Sequence, residues 1–129
     1  MTRKRVSSGT EWESKVGYSR AVRTESQIHV SGTTATDDDG NIVGRGDAYE
    51  QTAQALRNVK NALREADASL EDVVRTRLYV TDIDDWNAIG DAHSDVFDGI
   101  RPATSMVEVN GLIDPDLLVE IEAVAVLSE

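Results

Sequence analysis

Three glutamates lie inside two stretches that carry much of the apolar character of the chain. Glu108 belongs to RPATSMVEVNGL (101–112), and Glu120 and Glu122 belong to LLVEIEAVAVL (117–127). A carboxylate is costly to bury without a partner, so each of these acids needs a cation, a hydrogen-bond donor or solvent. A glutamate that is partly desolvated has a raised pKa and can act as a general acid or base near neutral pH.

Two interpretations of these acids remain open from the sequence. Side chains two positions apart share one face of a strand, so Glu120 and Glu122 point the same way. In the structural interpretation, both acids lie near the rim of a sheet and are solvated or paired with Arg75 or Arg77. In the functional interpretation, one of them lines a cleft between subunits and acts on a ligand or on water.

Other residues that could do chemistry give weaker signals. His29 lies in a predicted strand and His93 on the apolar face of a predicted helix, where histidines are commonly structural. These two histidines have no ligand spacing, and the chain has no cysteine, so we expect no metal site and no cofactor. Ser31 and Gly32 are not part of a G-x-S-x-G nucleophile turn.

The charge of the chain restricts its partners. With 24 acidic and 13 basic residues among 129, the net charge is −11, which repels nucleic-acid backbones. We therefore expect no nucleic-acid partner, and such acidity is also typical of proteins from a high-salt cytoplasm. No apolar run is long enough for a membrane span, and the start MTRKRVSSG lacks the apolar core of a signal peptide. We expect a cytoplasmic protein.

The elements that position these residues follow from periodicity and turn signals. Asp47, with Glu50 three residues later, predicts the start of a helix, and apolar residues at spacings of three and four continue it. The basic residues near the start are expected to form a frayed arm. We assign 1–15 to an N-terminal arm or first-strand region and 16–129 to one domain. Strands are predicted over 18–25, 27–36, 73–82, 104–110 and 117–127, and helices over 47–67 and from Asp84 or Asp85 to Gly99.

This order, β-β-α-β-α-β-β, predicts an α+β domain with two helices on one face of a mixed sheet. The last strand is apolar at both parities, apart from its acids, and two helices cover only one face. A strand that is apolar on both faces needs both faces covered. A second subunit is the simplest cover, so we predict an oligomer.

Several motifs together resemble a known family, and they extend from about Val16 to Leu127. On these motifs the chain resembles the RidA/YjgF superfamily of reactive-intermediate deaminases, some of which carry the label endoribonuclease L-PSP. The motifs are VGYS (16–19), HVSGTTA (29–35), QALRNVKNALREADAS (54–69), VVRTRLYVTDIDDW (73–86), RPATSMVEV (101–109) and VEIEAVAV (119–126).

The resemblance implies a chorismate-mutase-like fold and a homotrimer whose sheets pack into a central barrel. It also implies a small-molecule cleft at each subunit interface. The best-known members hydrolyse enamines and imines such as 2-aminoacrylate to a keto acid and ammonia. In those members an arginine just after a Pro-Ala pair holds the substrate carboxylate in a bidentate pair, and a glutamate of the last strand positions the attacking water.

Carried over residue by residue, the resemblance assigns the catalytic glutamate to Glu120 and the pocket tyrosine to Tyr18. The Ser-Gly backbone segment matches Ser31 and Gly32. The small residue after the family's Arg-Ser pair aligns with Met106, whose backbone remains able to contact a ligand.

Two positions depart from the family pattern. The carboxylate-binding arginine falls on Thr104, which is followed by Ser105, and the pocket asparagine falls near Gly90. Threonine offers one hydroxyl and no charge, so we expect weak or absent activity on 2-aminoacrylate. Three arginines are considered as replacements that reach the cleft from another direction: Arg20, Arg23 and Arg101.

Three functions follow for comparison, and the sequence leaves open whether the protein is an enzyme. The first is hydrolysis of a neutral or cationic imine or enamine by Glu120 and a water. The second is a trimer that binds or senses a small molecule without chemistry. The third, a ribonuclease or translation inhibitor, is disfavoured by the net charge of −11 and the absence of a basic groove.

Overall fold

The computed structural model describes residues 3–128, which form one mixed sheet with helices. The strands are β1 (Arg3–Val6), β2 (Ala21–Thr24), β3 (Gln27–Thr33), β4 (Val73–Val80), β5 (Ala103–Glu108) and β6 (Val119–Val126). The helices are α1 (Glu11–Val16), α2 (Ala48–Glu65) and α3 (Trp86–Phe97), with short 3₁₀ turns at Leu70–Asp72 and Ile83–Asp85. None of the helices within 3–128 is long and apolar enough to cross a membrane.

The six strands follow the spatial order β1-β2-β3-β6-β4-β5. Neighbouring strands are antiparallel except β4 and β5, which are parallel and are connected through α3. A parallel pair needs such a crossover because a tight turn can join only antiparallel strands. Since β6 lies between β3 and β4, Glu120 and Glu122 have strand neighbours on both sides.

The two long helices form where the sequence predicts them. The side chain of Asp47 accepts a hydrogen bond from the backbone N–H of Glu50 and caps α2. The periodic residues Leu56 and Val59 of α2 are fully buried, as is Ile89 of α3. The predicted α+β architecture, with both helices on one face of a mixed sheet, is confirmed.

Strand β6 separates its two faces by parity, as the sequence predicts. The residues of one parity are buried against the helices, and they are Val119, Ile121, Ala123 and Ala125. Glu120, Glu122 and Val124 alternate with them and are half-buried, while Val126 is exposed. We call the side of the sheet opposite the helices the open face.

The start of the chain differs from the prediction. Arg3–Val6 does not form a frayed arm but pairs antiparallel with β2, from Arg3 opposite Thr24 to Val6 opposite Ala21. Val6 is 6% exposed, so one buried apolar side chain anchors a strand whose other residues are charged. Helix α1 was also not predicted, because its six residues are too few for a periodic pattern.

One predicted face is wrong in β4. In VVRTRLYVTD (73–82), Val74, Thr76, Leu78 and Val80 alternate with more polar residues, which predicts that Val74 is buried; instead Val74 is 48% exposed and Val73 is 3% exposed. A register irregularity between Val73 and Arg75 causes the difference. Such a bulge adds a residue to one strand and reverses the faces before it.

Candidate functional site

Glu120 lies directly over Gly32, on the neighbouring strand β3. A Cβ atom built on Gly32 would come within 2.6 Å of Glu120 Oε2 and 2.7 Å of its Cδ. The carboxylate therefore occupies the space that any other residue would fill at this position. Of the residues predicted for the site, the structure thus brings Glu120 together with Gly32.

Arg20 links this pair to Tyr18. Its Nη1 donates hydrogen bonds to the carbonyl oxygen of Gly32 at 2.6 Å and to Thr33 Oγ1 at 2.9 Å. Its Nη2 donates to the Tyr18 hydroxyl at 3.2 Å, and the guanidinium carbon lies 5.5 Å from the centre of the Tyr18 ring. One guanidinium thereby fixes the tyrosine and the bend of β3 next to Glu120, between Val30 and Thr33, where the pairing with β6 shifts register.

Glu13 supplies the negative charge that balances Arg20. Its carboxylate is 6% exposed and lies 4.0 Å from Arg20 Nε. Burial raises the pKa of Glu13, but hydrogen bonds from the Ser8 hydroxyl and amide and from Thr10 outweigh it and bring the pKa below its ordinary value. Glu13 is therefore ionised at neutral pH, and Glu13 with Arg20 forms a nearly neutral pair behind the site.

The ionisation of Glu120 reflects these surroundings. Burial raises the pKa of Glu120, the negative charge of Glu122 raises it further, and the positive charge of Arg20 partly opposes the rise. A carboxyl group whose pKa is moved toward neutrality can both accept and return a proton. Glu120 thus has the environment of a general base.

Ser31 takes part through its backbone position rather than a free hydroxyl. Its Oγ donates to the carbonyl of Ser19 at 2.6 Å, and its amide donates to the carbonyl of Arg20 at 3.0 Å. The hydroxyl hydrogen is therefore engaged in holding the chain before β2 against β3. We use the name Glu120 cluster for one group of six residues: Tyr18, Ser31, Gly32, Glu120, Arg20 and Glu13.

Thr104 lies elsewhere, on the edge strand β5. It pairs with Thr76 in the parallel register, and the two hydroxyl oxygens are 2.7 Å apart. Because Thr76 is fully buried on the helix side, the Thr104 side chain also points to that side. Met106 shares this face, where it packs against the core next to Leu78.

Ser105 points to the other face of β5. Its hydroxyl accepts a hydrogen bond from Arg75 Nη2 at 2.8 Å, on the open face. Gly90 lies in the first half of α3, and a Cβ built there meets no atom within 4 Å, so the space next to it is open. The predicted ligand residues therefore form two groups, since β4 separates β5 from β6 and Thr104 points away from the face of Glu120.

The three replacement arginines do not reach Thr104 within residues 3–128. Arg20 belongs to the Glu120 cluster, Arg23 donates to the carbonyls of Ala66 and Glu25, and Arg101 pairs with Asp98 at 2.9 Å. The hydrogen-bond partners of Thr104 among the described residues are instead neutral groups, the Thr76 hydroxyl and the Pro102 carbonyl.

The other two acids of the opening stretches have hydrogen-bond partners. Glu122 accepts from the Tyr79 hydroxyl at 2.7 Å, and Glu108 accepts from the backbone amide of Ile83 at 2.9 Å. Neither pairing was predicted, but both agree with the expectation that these two acids meet a partner or solvent. Among the described residues, no group of three or more His, Asp or Glu side chains could hold a metal ion.

Sequence reasoning missed Glu13 and considered Arg20 only as a substitute for the lost arginine. A signal for Arg20 was present, because Tyr18 and Arg20 are two residues apart and therefore face the same way in extended chain. Nothing in the sequence pointed to Glu13, since it reaches Arg20 from a short helix that no pattern predicts.

Comparison with known proteins agrees with this fold. Residues 9–127 match the family described as Endoribonuclease L-PSP. A 3-aminoacrylate deaminase, RutC, from Acinetobacter baylyi is 36% identical over 84% of this chain and 85% of its own length. An uncharacterised protein from Streptomyces coelicolor is 40% identical over 95% of this chain and 90% of its own.

Solved structures agree as well. A member of the YjgF/YER057c/UK114 family from Mycobacterium tuberculosis is 53% identical, with a TM-score of 0.89 over 98% of this chain and 100% of that one. Escherichia coli TdcF, solved with bound serine, is 30% identical with a TM-score of 0.79 over 86% and 88%. The fold and the matched residues define a small α+β protein of the YjgF type. The chain belongs to the RidA/YjgF superfamily, in the endoribonuclease L-PSP family.

Proposed function

We propose that this protein hydrolyses a neutral or cationic imine or enamine, with Glu120 as the general base. The observation that carries the proposal is the Glu120 carboxyl group, half-buried over Gly32 with its pKa raised and with the Tyr18 hydroxyl held close by through Arg20. The similarity to an enzyme named as a 3-aminoacrylate deaminase supports an enamine or imine as the reacting group, whereas the absence of a carboxylate is proposed from the charge at the site, since 3-aminoacrylate itself carries one.

The proposed reaction needs one proton acceptor that later becomes a donor. Glu120 takes a proton from water as the oxygen adds to the carbon of the C=N bond. Glu120 gives this proton to the nitrogen, which yields a carbinolamine; an enamine substrate first tautomerises to the imine. Glu120 then takes the hydroxyl proton of the carbinolamine and transfers it to the nitrogen as the C–N bond breaks and the C=O bond forms. A carbonyl compound and ammonia leave, and Glu120 is again a carboxylate.

The charge at the site supports a substrate without a carboxylate. Glu13 and Arg20 balance each other, so the negative charges of Glu120 and Glu122 remain next to the site, and Thr104 offers a hydroxyl where the family's arginine would bind an anion. A carboxylate ligand gains no cation from position 104 and is repelled by Glu120. Activity on 2-aminoacrylate is therefore proposed to be weak or absent.

The site is proposed to be completed by a homotrimer. In one chain, Thr104 and Glu120 lie on different strands and opposite faces, and the apolar side chains of Val124 and Val126 on the open face are partly exposed. A second copy docked on the open face covers these valines. If its edge strand β5 lies near Glu120, the two groups of ligand residues meet in one cleft.

Ammonia release from imines that lack a carboxylate tests the proposal, with 2-aminoacrylate generated in the assay as the comparison. Glu120→Gln should lower the rate by about 100-fold, the usual contribution of a general base. Glu122→Gln is the comparison variant, because Glu122 lies on the same strand and face but is bound by Tyr79; it should lower the pKa of Glu120 and retain turnover. Turnover that survives Glu120→Gln contradicts the proposed mechanism.

A binding or sensing trimer without chemistry is the second candidate, and the loss of both the arginine at Thr104 and the asparagine at Gly90 favours it. In that case a small molecule raises the melting temperature and is recovered unchanged. A ribonuclease is disfavoured by the net charge of −11.

A further inference from the structure

A chain of hydrogen bonds runs from inside the helix layer to the edge of the sheet. His93 Nε2 on α3 lies 2.9 Å from Thr76 Oγ1, and Thr76 Oγ1 lies 2.7 Å from Thr104 Oγ1. Thr104 Oγ1 in turn lies 3.1 Å from the carbonyl oxygen of Pro102. These hydrogen bonds therefore connect His93 to Thr104. The family resemblance assigns no role to His93, and Thr104 stands where the family has its arginine.

The direction of these hydrogen bonds follows from the number of available hydrogens. The Pro102 carbonyl can only accept, so Thr104 donates its single hydroxyl hydrogen to it. Thr104 must then accept from Thr76, which has given away its own hydrogen and must accept from His93. His93 therefore carries a hydrogen on Nε2, and the chain ends in the Thr104 hydroxyl as a donor.

The inner hydrogen bonds, at Thr76, are buried and keep their direction. The outer hydrogen bond, from Thr104, is exposed and can change its acceptor. Thr76 is fully buried, whereas Thr104 is exposed on the edge strand. His93 is half-buried with its ring 4.7 Å from the Phe97 ring, and burial lowers the pKa of His93, so the histidine is neutral at neutral pH. Gly90, one turn earlier on α3, leaves open space on this side of the helix.

We propose that His93, acting through Thr76, orients the Thr104 hydroxyl to donate a hydrogen bond to a neutral acceptor of the ligand, such as an amide oxygen. His93 and Thr76 are positioning residues, and Thr104 is the residue that contacts the ligand. The inference rests on the proposed function only in requiring that the cleft binds a small molecule.

The chemistry of the chain selects a neutral acceptor. When a ligand oxygen approaches, the Thr104 hydroxyl turns from the Pro102 carbonyl to that oxygen, while the inner two hydrogen bonds remain. Successive hydrogen bonds polarise one another, so the terminal donor is stronger than an isolated threonine. A carboxylate would need a cation to offset its desolvation, and none of the arginines considered above lies at Thr104.

The tautomer of His93 is the first test, and it requires neither ligand nor turnover. Nitrogen NMR of the protein as purified, in whichever oligomeric state, should find the neutral His93 ring protonated on Nε2 and not on Nδ1. In the wild-type background, a substitution at Thr104 should shift the Nε2 signal of His93. Thr76→Val keeps the shape of the side chain but removes the hydroxyl, so in that background the same substitution should no longer shift the signal. A neutral ring protonated on Nδ1 overturns the proposal.

Binding of pyruvamide and pyruvate is the second test, because the two probes differ mainly in the charge of one end. The wild-type protein should bind pyruvamide more tightly than pyruvate. Thr104→Val should weaken pyruvamide about fivefold, which is the typical strength of one neutral hydrogen bond, and leave pyruvate unchanged. Thr104→Ser keeps the hydroxyl and should keep the preference.

The positioning role is tested at His93 in the same assay. His93→Gln retains an N–H donor and should preserve most of the preference for pyruvamide, whereas His93→Leu should lose it. Melting temperatures of all variants show whether each remains folded. The proposal is overturned if pyruvamide does not bind, or if folded Thr104→Val keeps the preference for pyruvamide. A failure to detect hydrolysis would instead contradict the proposed role of Glu120 and would leave these binding measurements valid.

Discussion

Arg20→Gln tests the arrangement around Glu120 more directly than a substitution of Glu120 itself. Arg20 donates to the Gly32 carbonyl, to Thr33 and to the Tyr18 hydroxyl, and its side chain is 12% exposed. Glutamine is shorter and neutral, so it cannot make these hydrogen bonds together. The substitution leaves the buried Glu13 carboxylate without its cation.

The expected loss of stability follows from this burial. Removing one partner of a buried ion pair costs about 3–5 kcal/mol. Glu13 keeps its hydrogen bonds from Ser8 and Thr10, and its carboxylate oxygen is 4.0 Å from Arg20 Nε, which is long for an ion pair. We therefore expect the lower end, about 3 kcal/mol in the free energy of unfolding. The pKa of Glu120 should rise further, because the one positive charge that lowers it is removed.

Chemical denaturation measures the first quantity, and a pH titration of the Glu120 carboxyl carbon by NMR measures the second. Arg23→Gln is the matched control, because Arg23 donates to the backbone carbonyls of Ala66 and Glu25, away from Glu120. It should leave the pKa of Glu120 unchanged. Arg20→Lys keeps the charge without the planar fork and should raise the pKa of Glu120 less than Arg20→Gln.

Two results would refute this reasoning. If Arg20→Gln unfolds at the same denaturant concentration as the wild type, the guanidinium does not support the strand bend. If the folded variant keeps the wild-type pKa of Glu120, then Arg20 does not influence the ionisation of the proposed base.

Three further predictions concern the same site. Glu120→Gln should make the protein more stable at neutral pH, because a carboxyl group with a raised pKa destabilises the fold once it ionises. The difference in the free energy of unfolding between variant and wild type should shrink as the pH falls toward 4.5, the ordinary pKa of glutamate. Chemical denaturation at several pH values measures it. Gly32→Ala should abolish ammonia release, because the new Cβ would lie 2.6 Å from the Glu120 carboxylate and displace it. Gly99→Ala is the control, because a Cβ there meets no atom within 4 Å, and it should not change the rate. Equal rates for the two variants would contradict the contact between Gly32 and Glu120. Thr104→Arg should raise hydrolysis of 2-aminoacrylate by about tenfold or more relative to wild type, since a charge-assisted pair is worth about 1.5–3 kcal/mol, and an unchanged rate would mean that Thr104 does not face the substrate.

The regular elements could be predicted because their signals are local. The capping contact of Asp47 with Glu50 and the periodic apolar residues define α2 within a few positions along the chain. The alternation in β6 likewise assigns Val119 and Ile121 to the core and Glu120 to the open face. The short α1 and the bulge before Arg75 carry no periodic signal and were missed.

The predicted site residues separate in the same way. The motif around Ser31 and Gly32 and the last-strand Glu120 could be selected from the sequence, and the structure places the Glu120 carboxylate over Gly32. Their assignment to a cleft with Thr104 depends on a second subunit and stays a prediction. The roles of Glu13 and Arg20 could not be predicted, because burial and hydrogen bonds rather than spacing join them.

The sequence by itself determined the family and the parity of β6, and it predicted that Thr104 stands where the family has an arginine. The tertiary structure alone decided which groups surround each side chain. It placed Arg20 between Glu13 and Tyr18, and it connected Thr104 to His93 through Thr76. The reason is that local patterns specify backbone geometry, whereas the pKa of a carboxyl group and the direction of a hydrogen bond depend on atoms brought together from distant parts of the chain.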